Sequence, residues 1–129
     1  MEYYNLASIV APEYSDAYFR KAEVFIKQGD SISALNELDK AIKIQPDKFE
    51  YYLLVDRVRS PQKSWPEIIV SWNKYLALQP KDHRAYFERS GTHIQNGNLA
   101  LAAVDAQKAA DLGNPNGQKL YEAIKARSK

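Results

Sequence analysis

The chain of 129 residues is 45% hydrophobic and 26% charged, a composition typical of folded globular proteins that excludes an intrinsically disordered one. Its net charge of +2 is too small to indicate nucleic-acid binding by itself. The absence of cysteine excludes disulfides, thiolate metal ligands and a cysteine nucleophile.

No apolar run is long enough for a membrane-spanning helix, so no membrane insertion is expected. The first residues lack the basic start and apolar core of a signal peptide. The sequence therefore leaves the compartment unknown, and the cytoplasm is favoured only if the chain is complete.

The first two predicted helices lie on either side of a turn at 29–30. Ser15 or Asp16 is expected to cap the first of them, which runs to about Gln28. A second helix over 31–44 has apolar residues at helical spacing along one face. The pattern indicates a helix–turn–helix unit.

A similar pair of helices is predicted in the middle of the chain. The first runs from Asp47 to about Arg59 and is followed by a loop at 60–63. Ser64 and Glu67 then form a capping-box pattern at the start of the next helix. Further helices are predicted over 82–95, 98–111 and 115–127, and no segment has a strand pattern.

These helices follow an internal repeat. Several independent columns of residues recur at one constant spacing, the repeat period, without insertion or deletion. The columns are Pro12, Pro46 and Pro80; Tyr18, Tyr52 and Tyr86; and Phe19, Leu53 and Phe87.

The repeat resembles the tetratricopeptide repeat, a 34-residue helix–turn–helix unit with aromatic, small and closing proline positions. The first full unit carries the pattern at Tyr18, Ala22, Phe25, Ala34, Leu38, Ala41 and Pro46. The resemblance implies an all-α, right-handed α-α superhelix (solenoid) of antiparallel helix pairs with a C-terminal capping helix. We expect one domain over 1–129, built from a half repeat (1–12), a repeat (15–46), an irregular repeat (49–80), a repeat (83–114) and a capping helix (115–129).

The irregular repeat departs from the pattern at two positions. Asp56 stands where a small residue belongs, and Arg59 stands where an aromatic residue belongs. Either these residues and Arg57 are functional, or the first helix of this unit ends early and the charges reach water. The second interpretation is the one we expect.

The half repeat at 1–12 is in phase with only the second helix of a unit. The chain is therefore either a fragment of a longer array or begins with a half unit that caps the stack. Tyr3, Leu6, Ile9 and Val10 are expected to lack part of their cover, which favours self-association through this half repeat.

The resemblance implies that the first helix of each unit lines a concave groove and that the chain is a non-catalytic protein–protein interaction module. The groove would bind a peptide or a partner helix of unknown identity. Its predicted lining residues are Asp16, Phe19, Glu23, Ile26, Glu50, Leu53, Arg57, Arg84, Phe87 and Ile94. Phe19, Leu53 and Phe87 would form an apolar stripe; alternatively, they pack against the adjacent second helices.

Some chaperone-binding members of this family clamp a C-terminal carboxylate with Lys, Asn and Arg at fixed positions of three units. The same positions here hold Phe19 and Glu23, then Leu54, then Arg84 and Glu88. Only Arg84 is suitable, and Glu88 has the wrong charge. We therefore expect no such clamp.

No pattern predicts catalysis, a cofactor or a metal site. His83 and His93 are the only histidines and lack metal-ligand spacing, and no glycine-rich phosphate loop is present. Two alternatives to peptide binding remain: a nucleic-acid-binding helical array, or a structural spacer of a larger protein. The first is disfavoured because the predicted groove mixes acidic and basic residues and has no continuous basic stripe.

Overall fold

The helices keep the repeat period of the sequence. The structure, a computed structural model, describes residues 13–128. Within them it contains seven α-helices: α1 (Glu13–Lys27), α2 (Ser31–Ile44), α3 (Phe49–Arg59), α4 (Trp65–Leu78), α5 (His83–Gln95), α6 (Leu99–Asp111) and α7 (Gly117–Arg127). A 3-10 turn, Ser60–Gln62, follows α3, and no strand lies in this part of the chain. The starts of α3, α5 and α7 are one repeat period apart, as are those of α2, α4 and α6. The predicted all-α class is confirmed.

The turns between paired helices form as the sequence predicts. Gly29 and Gly97 adopt left-handed conformations, with φ of 77° and 83°, which glycine accepts without a Cβ clash. Asp30 then caps α2, where its carboxylate accepts a hydrogen bond from the Ser33 amide at 3.1 Å. Hydrogen bonds from Ser33 lower the pKa of Asp30. Asn98 caps α6 in the same way.

The predicted cap at Ser15 or Asp16 is wrong, because α1 already includes both residues. Ser15 lies inside α1, where its buried hydroxyl donates to Gln45 Oε1 at 3.0 Å and is 2.8 Å from the Tyr51 hydroxyl. It ties α1 to the end of α2 and to α3, a role that local sequence does not show. Ser64 occupies the N-cap position of α4 as predicted, but its side chain makes no capping hydrogen bond.

The first compact unit, Met1–Gln62, has its core between α1, α2 and α3. Ala22, Ala34 and Leu38 are fully buried there, together with Val55 and Val58 of α3. The small side chains of Ala22 and Ala34 let α1 and α2 approach closely, and leucine and valine fill the space beside them. The predicted half repeat at 1–12, with its self-association residues, lies outside the described part of the chain.

Asp56 corrects the interpretation of the irregular repeat. The helix ends at Arg59 as predicted, but only 5% of Asp56 is exposed. Its carboxylate accepts a hydrogen bond from the Ser60 hydroxyl at 3.0 Å and lies 3.4 Å from a guanidinium nitrogen of Arg57. The charge is thus satisfied by the chain that follows it, and Arg57 rather than Asp56 reaches water.

In the second compact unit, Lys63–Lys129, each helix packs against the next: α4 on α5, α5 on α6 and α6 on α7. Trp72 is fully buried and meets Tyr75 edge-on at 6.0 Å between ring centroids. Ala102 and Ala106 of α6 form a cluster with Ile124 of α7. Within residues 13–128, no helix is both long and apolar enough to cross a membrane.

The last helix, α7, starts one repeat period after α5, the first helix of the preceding repeat. The two helices use the same repeat position for different contacts. In α5, Ser90 faces the following second helix, because its hydroxyl donates to the Ala102 carbonyl at 2.7 Å. Ile124 holds the same repeat position in α7, yet it packs on the preceding helix, α6. The helix begins at Gly117 rather than at Pro115.

Candidate functional site

The surface of α1 and α3 that carries the predicted residues Asp16, Phe19, Glu23, Ile26, Glu50, Leu53 and Arg57 is called the first-helix face of the first compact unit. Tyr51 joins α1 to α3 at this face. Its ring lies 5.1 Å from the Phe19 ring, with the planes tilted by 33°. Its hydroxyl donates to Asp16 Oδ1 at 2.8 Å. Two predicted site residues of α1 are therefore held beside α3 by one residue that sequence reasoning did not select.

The Tyr51 hydroxyl remains a neutral donor in this position. Burial and the neighbouring Asp16 carboxylate, opposed by the contact with the Ser15 hydroxyl, together raise its pKa to about 12. The tyrosine therefore holds Asp16 in place throughout the physiological pH range. The only sequence signal was its position next to the recurring Tyr52 column.

The apolar residues of this face are partly buried. Phe19 packs against the core cluster that contains Ala22 and Leu38. Leu53 is also half-buried, and Ile26 is 37% exposed. On this face, each of these apolar side chains is therefore partly exposed to solvent and partly packed against the rest of the unit.

Acidic side chains surround these apolar residues. Asp16 lies 3.6 Å from the Lys48 ammonium nitrogen, and Glu23 lies 3.7 Å from a guanidinium nitrogen of Arg20. Both pairs are largely exposed, so each contributes little to stability and can exchange its partner. Glu50 is exposed on α3. Arg57 is the basic member of the predicted set in this unit, and 57% of its side chain is exposed.

In the second compact unit, Arg84 is held by a carboxylate of its own helix start. Its Nε donates to Asp82 Oδ1 at 2.9 Å, and its Nη2 donates to Oδ2 at 2.8 Å. The Tyr75 hydroxyl also donates to Asp82. Burial of Asp82 opposes ionisation, but the hydrogen bonds from Arg84 and Tyr75 outweigh it and lower the pKa of the carboxyl.

The other predicted residues of α5 differ in their surroundings. Ile94 packs against the cluster formed by α6 and α7, so much of it belongs to the core. Phe87 is half-buried. The chain divides into two compact units after Gln62, so these residues belong to a different unit from those of α1 and α3.

A polar network joins α4, α5 and α6 in the second unit. Arg89 of α5 bonds both carboxylate oxygens of Asp105 on α6 and donates to Asn73 Oδ1 on α4 at 2.8 Å. His93 is buried beside it, with Nε2 3.6 Å from Asp105. Arg89 stands one repeat period after Val55, and His93 stands two repeat periods after Phe25, so the change of residue type was the available signal. Their shared partner, Asp105, was not predicted from the sequence.

The sequence also did not predict an apolar groove of about 720 Å³. It lies between α6 and α7, and Leu99, Ala103, Val104 and Tyr121 are among its lining residues. It exists only because α7 packs on α6 through Ile124, so local sequence carries no signal for it. Among the described residues, no cluster of three or more His, Asp or Glu side chains suits a metal ion.

Comparison with known proteins gives a family match and a fold match. The family model described as tetratricopeptide repeat matches residues 15–48. A relative from Triticum aestivum, the Hsp70-Hsp90 organizing protein, is 32% identical over 111 residues, which are 80% of this chain and 19% of that protein. The chain spans about a fifth of the length of the curated relatives it matches.

Two solved structures share the fold at low sequence identity. The N-terminal domain of stress-induced protein-1 from C. elegans has a TM-score of 0.79 at 18% identity, covering 90% of this chain and 98% of that one. The first TPR of Spaghetti (RPAP3), bound to the HSP90 peptide SRMEEVD, has a TM-score of 0.76 at 18% identity, covering 94% and 98%. These likenesses show the fold that the three chains have in common.

Proposed function

We propose, since this chain belongs to the tetratricopeptide-repeat family, that it is a non-catalytic module that binds a segment of another polypeptide. The observation that carries the proposal is the first-helix face of the first compact unit. There, partly exposed Phe19 and Leu53 lie among exposed charges on α1 and α3. An apolar strip bordered by charge is suited to an extended segment or a helix.

The charges of this face favour a basic ligand. Asp16, Glu23 and Glu50 contribute three carboxylates, against the single guanidinium of Arg57 within the predicted set of this unit. The exposed ion pairs of Asp16 and Glu23 are weak enough to be replaced by ligand cations. We infer that the bound segment carries apolar anchor residues with lysine or arginine beside them.

This ligand differs from the acidic peptide SRMEEVD, which the similar domain of RPAP3 binds. At the carboxylate-clamp positions, Glu23 and Glu88 would repel a carboxylate, and Leu54 packs against the core of its unit. Arg84 is already bonded through two nitrogens to Asp82. The absence of a carboxylate clamp therefore remains our proposal.

The test is capture of partners by matched surface variants. Leu53→Glu adds a charge to the proposed face of the first compact unit, and Phe87→Glu adds one at the corresponding repeat position of the second unit. Ile32→Glu and Val70→Glu are the controls, because these side chains are 78% and 51% exposed on the second helices α2 and α4. All four variants are first checked for unchanged circular dichroism and melting temperature.

A protein that wild type and controls retain, but the face variants lose, supports the proposal. Its binding segment is then synthesised and its affinity is measured by fluorescence anisotropy at low and high salt. Equal capture by all variants would contradict binding on this face. The groove between α6 and α7 would then be the alternative binding site to test. Capture of nucleic acid with steep salt dependence would favour the nucleic-acid alternative. Capture of nothing by any variant would favour the spacer alternative.

A further inference from the structure

The groove between α6 and α7 runs along the whole of α6. Its wall on α6 extends from Leu99 to Asp111, the first and last residues of that helix. Its wall on α7 extends from Tyr121 to Ser128. At 1.5 Å per residue, the wall on α6 is about 18 Å long, which matches about three turns of another helix.

The floor of this groove is apolar and held in place by the core. Leu99, Ala103 and Tyr121 line it and also pack against the buried cluster that α6 and α7 form together. Val104, which lines the groove beside them, is 63% exposed. The groove therefore combines a fixed apolar floor with open access, as a docked apolar side chain requires.

The orientation of α7 distinguishes this groove from the contact between neighbouring repeats. In α5, Ser90 faces α6, the second helix of its own repeat. In α7 the same repeat position holds Ile124, which is 1% exposed and packs on the preceding helix, α6. A helix placed beside α7 as α6 is placed beside α5 would have to contact a position that α6 already covers. The groove therefore suits a different occupant.

Each wall of the groove carries one lysine, Lys108 on α6 and Lys125 on α7. Both are exposed, and neither pairs with a carboxylate of residues 13–128. The third charged residue of the lining is Asp111, whose carboxylate accepts a hydrogen bond from the Gln107 amide at 2.9 Å. The groove thus presents two ammonium groups on opposite sides of an apolar floor, and carboxylates complement them.

We propose that this groove binds an amphipathic helix of another polypeptide. The apolar side chains of that helix, spaced three and four residues apart, enter the groove, and its carboxylates on either flank face Lys108 and Lys125. This site is separate from the first-helix face, for which a basic ligand is proposed, so the two sites take ligands of opposite charge. The peptide SRMEEVD is not such a ligand, because it is shorter than two helical turns.

A peptide library tests the chemistry of the occupant. Its members have about 16 residues, enough for a helix of this length, with leucine or isoleucine at helical spacing and Glu, Gln or Lys on the two flanks. Selection by phage display on the wild-type protein should enrich glutamate on both flanks. Enrichment of lysine, or no preference among the three, would overturn the proposal.

The conformation of the occupant is tested with one enriched peptide and a copy that carries a central proline. Proline disrupts a helix, so the copy should bind at least about ten times more weakly in fluorescence anisotropy. Equal affinities of the two peptides would overturn the helical part of the proposal.

Matched variants test the position of the site. Val104→Glu and Lys108→Glu place negative charge in the groove, and each should weaken binding of the enriched peptide at least about tenfold. Val70→Glu and Lys74→Glu are the controls, because these exposed residues of α4 stand one repeat period earlier and do not line the groove. The controls should bind like wild type, and equal weakening by groove and control variants would overturn the proposal.

Exchange of the charges gives a result that a loss of structure cannot imitate. The double variant Lys108→Glu/Lys125→Glu should prefer a peptide whose flanking glutamates are replaced by lysine. Unchanged preference for glutamate would overturn the assigned role of the two lysines. Leu53→Glu should leave binding of the acidic peptide intact, so this site stands or falls independently of the first-helix face.

Sedimentation velocity of the wild type and Val104→Glu tests the remaining occupant, a second copy of this chain. We expect both to be monomers at the concentrations used for peptide binding. A wild-type dimer that Val104→Glu abolishes would overturn the proposal in favour of self-association through the groove.

Discussion

Arg89 on α5 binds Asp105 on α6 through two parallel hydrogen bonds. Its Nε donates to Oδ2 at 2.7 Å, and its Nη2 donates to Oδ1 at 2.8 Å. The Asp105 side chain is 5% exposed and the Arg89 side chain 21% exposed. The pair therefore joins two helices inside the second compact unit.

Removing one partner of this pair should be costly. Asp105→Ala leaves the guanidinium partly buried without its carboxylate, so we expect a loss of roughly 3–5 kcal/mol in the free energy of unfolding. Urea denaturation measures the change. The double variant Arg89→Leu/Asp105→Leu buries no charge and should lose less than Asp105→Ala alone. The opposite order would show that the charge pair does not control stability here.

His93 should make the protein less stable in acid. Burial lowers its pKa below the ordinary value of 6.5, although the Asp105 carboxylate acts in the opposite direction. The unfolded chain therefore binds a proton first as the pH falls, and stability is lost from about pH 6.5 downward through the folded-state pKa.

The measurement compares wild type with His93→Phe by urea denaturation at about pH 7.5 and about pH 5.5. Phenylalanine restores the usual aromatic and removes the buried Nδ1, which has no hydrogen-bond partner in the described part of the chain. The wild type should lose more stability than the variant between the two pH values. Equal losses would show that other groups cause the acid sensitivity.

Substitution of Ala41 tests how closely α2 packs against its neighbours. It is completely buried, and a leucine there would overfill the contact at a cost of roughly 1–3 kcal/mol. Ala17→Leu is the matched control, because Ala17 is exposed in this structure. Thermal melting followed by circular dichroism should show a lower melting temperature for Ala41→Leu. An unchanged value would contradict the predicted repeat register.

Two glycines should respond in opposite ways to the same change. A Cβ at Gly117 would lie 2.6 Å from the Ala110 amide nitrogen, so Gly117→Ala must push α7 away from α6. Gly91 lies inside α5, and a Cβ there would meet no neighbouring atom within 4 Å. Gly91→Ala should therefore stabilise the protein by about 0.5–1 kcal/mol. Denaturant titration of both variants checks the signs, and stabilisation by Gly117→Ala would contradict the close approach.

The peptide SRMEEVD should not bind tightly to this chain. With glutamates at two clamp positions and Arg84 bonded to Asp82, we expect a dissociation constant weaker than about 1 mM. Isothermal titration calorimetry with the free acid and with its C-terminal amide provides the measurement and its control. Micromolar binding that is lost on amidation would show that a carboxylate clamp exists.

The repeat itself could be predicted from the sequence because it depends on local pattern. Helix periodicity, turn glycines and the spacing of prolines act over a few residues, and each appears again one repeat period later. The helix starts at Phe49, His83 and Gly117 retain this spacing. The all-α class and the paired helices could therefore be predicted from residue order alone.

Only the tertiary structure decided how particular side chains are used. Asp56 is buried beside the hydroxyl of Ser60, and Arg89 is held by Asp105, on the next helix along the chain. Ile124 has the repeat position of Ser90 but packs on the preceding helix. The sequence by itself determined which segments are helical and how often they recur, since hydrogen bonding within a helix is local. Which side chains meet between helices depends on packing, and a buried charge or an open face becomes visible only when its distant neighbours are in place.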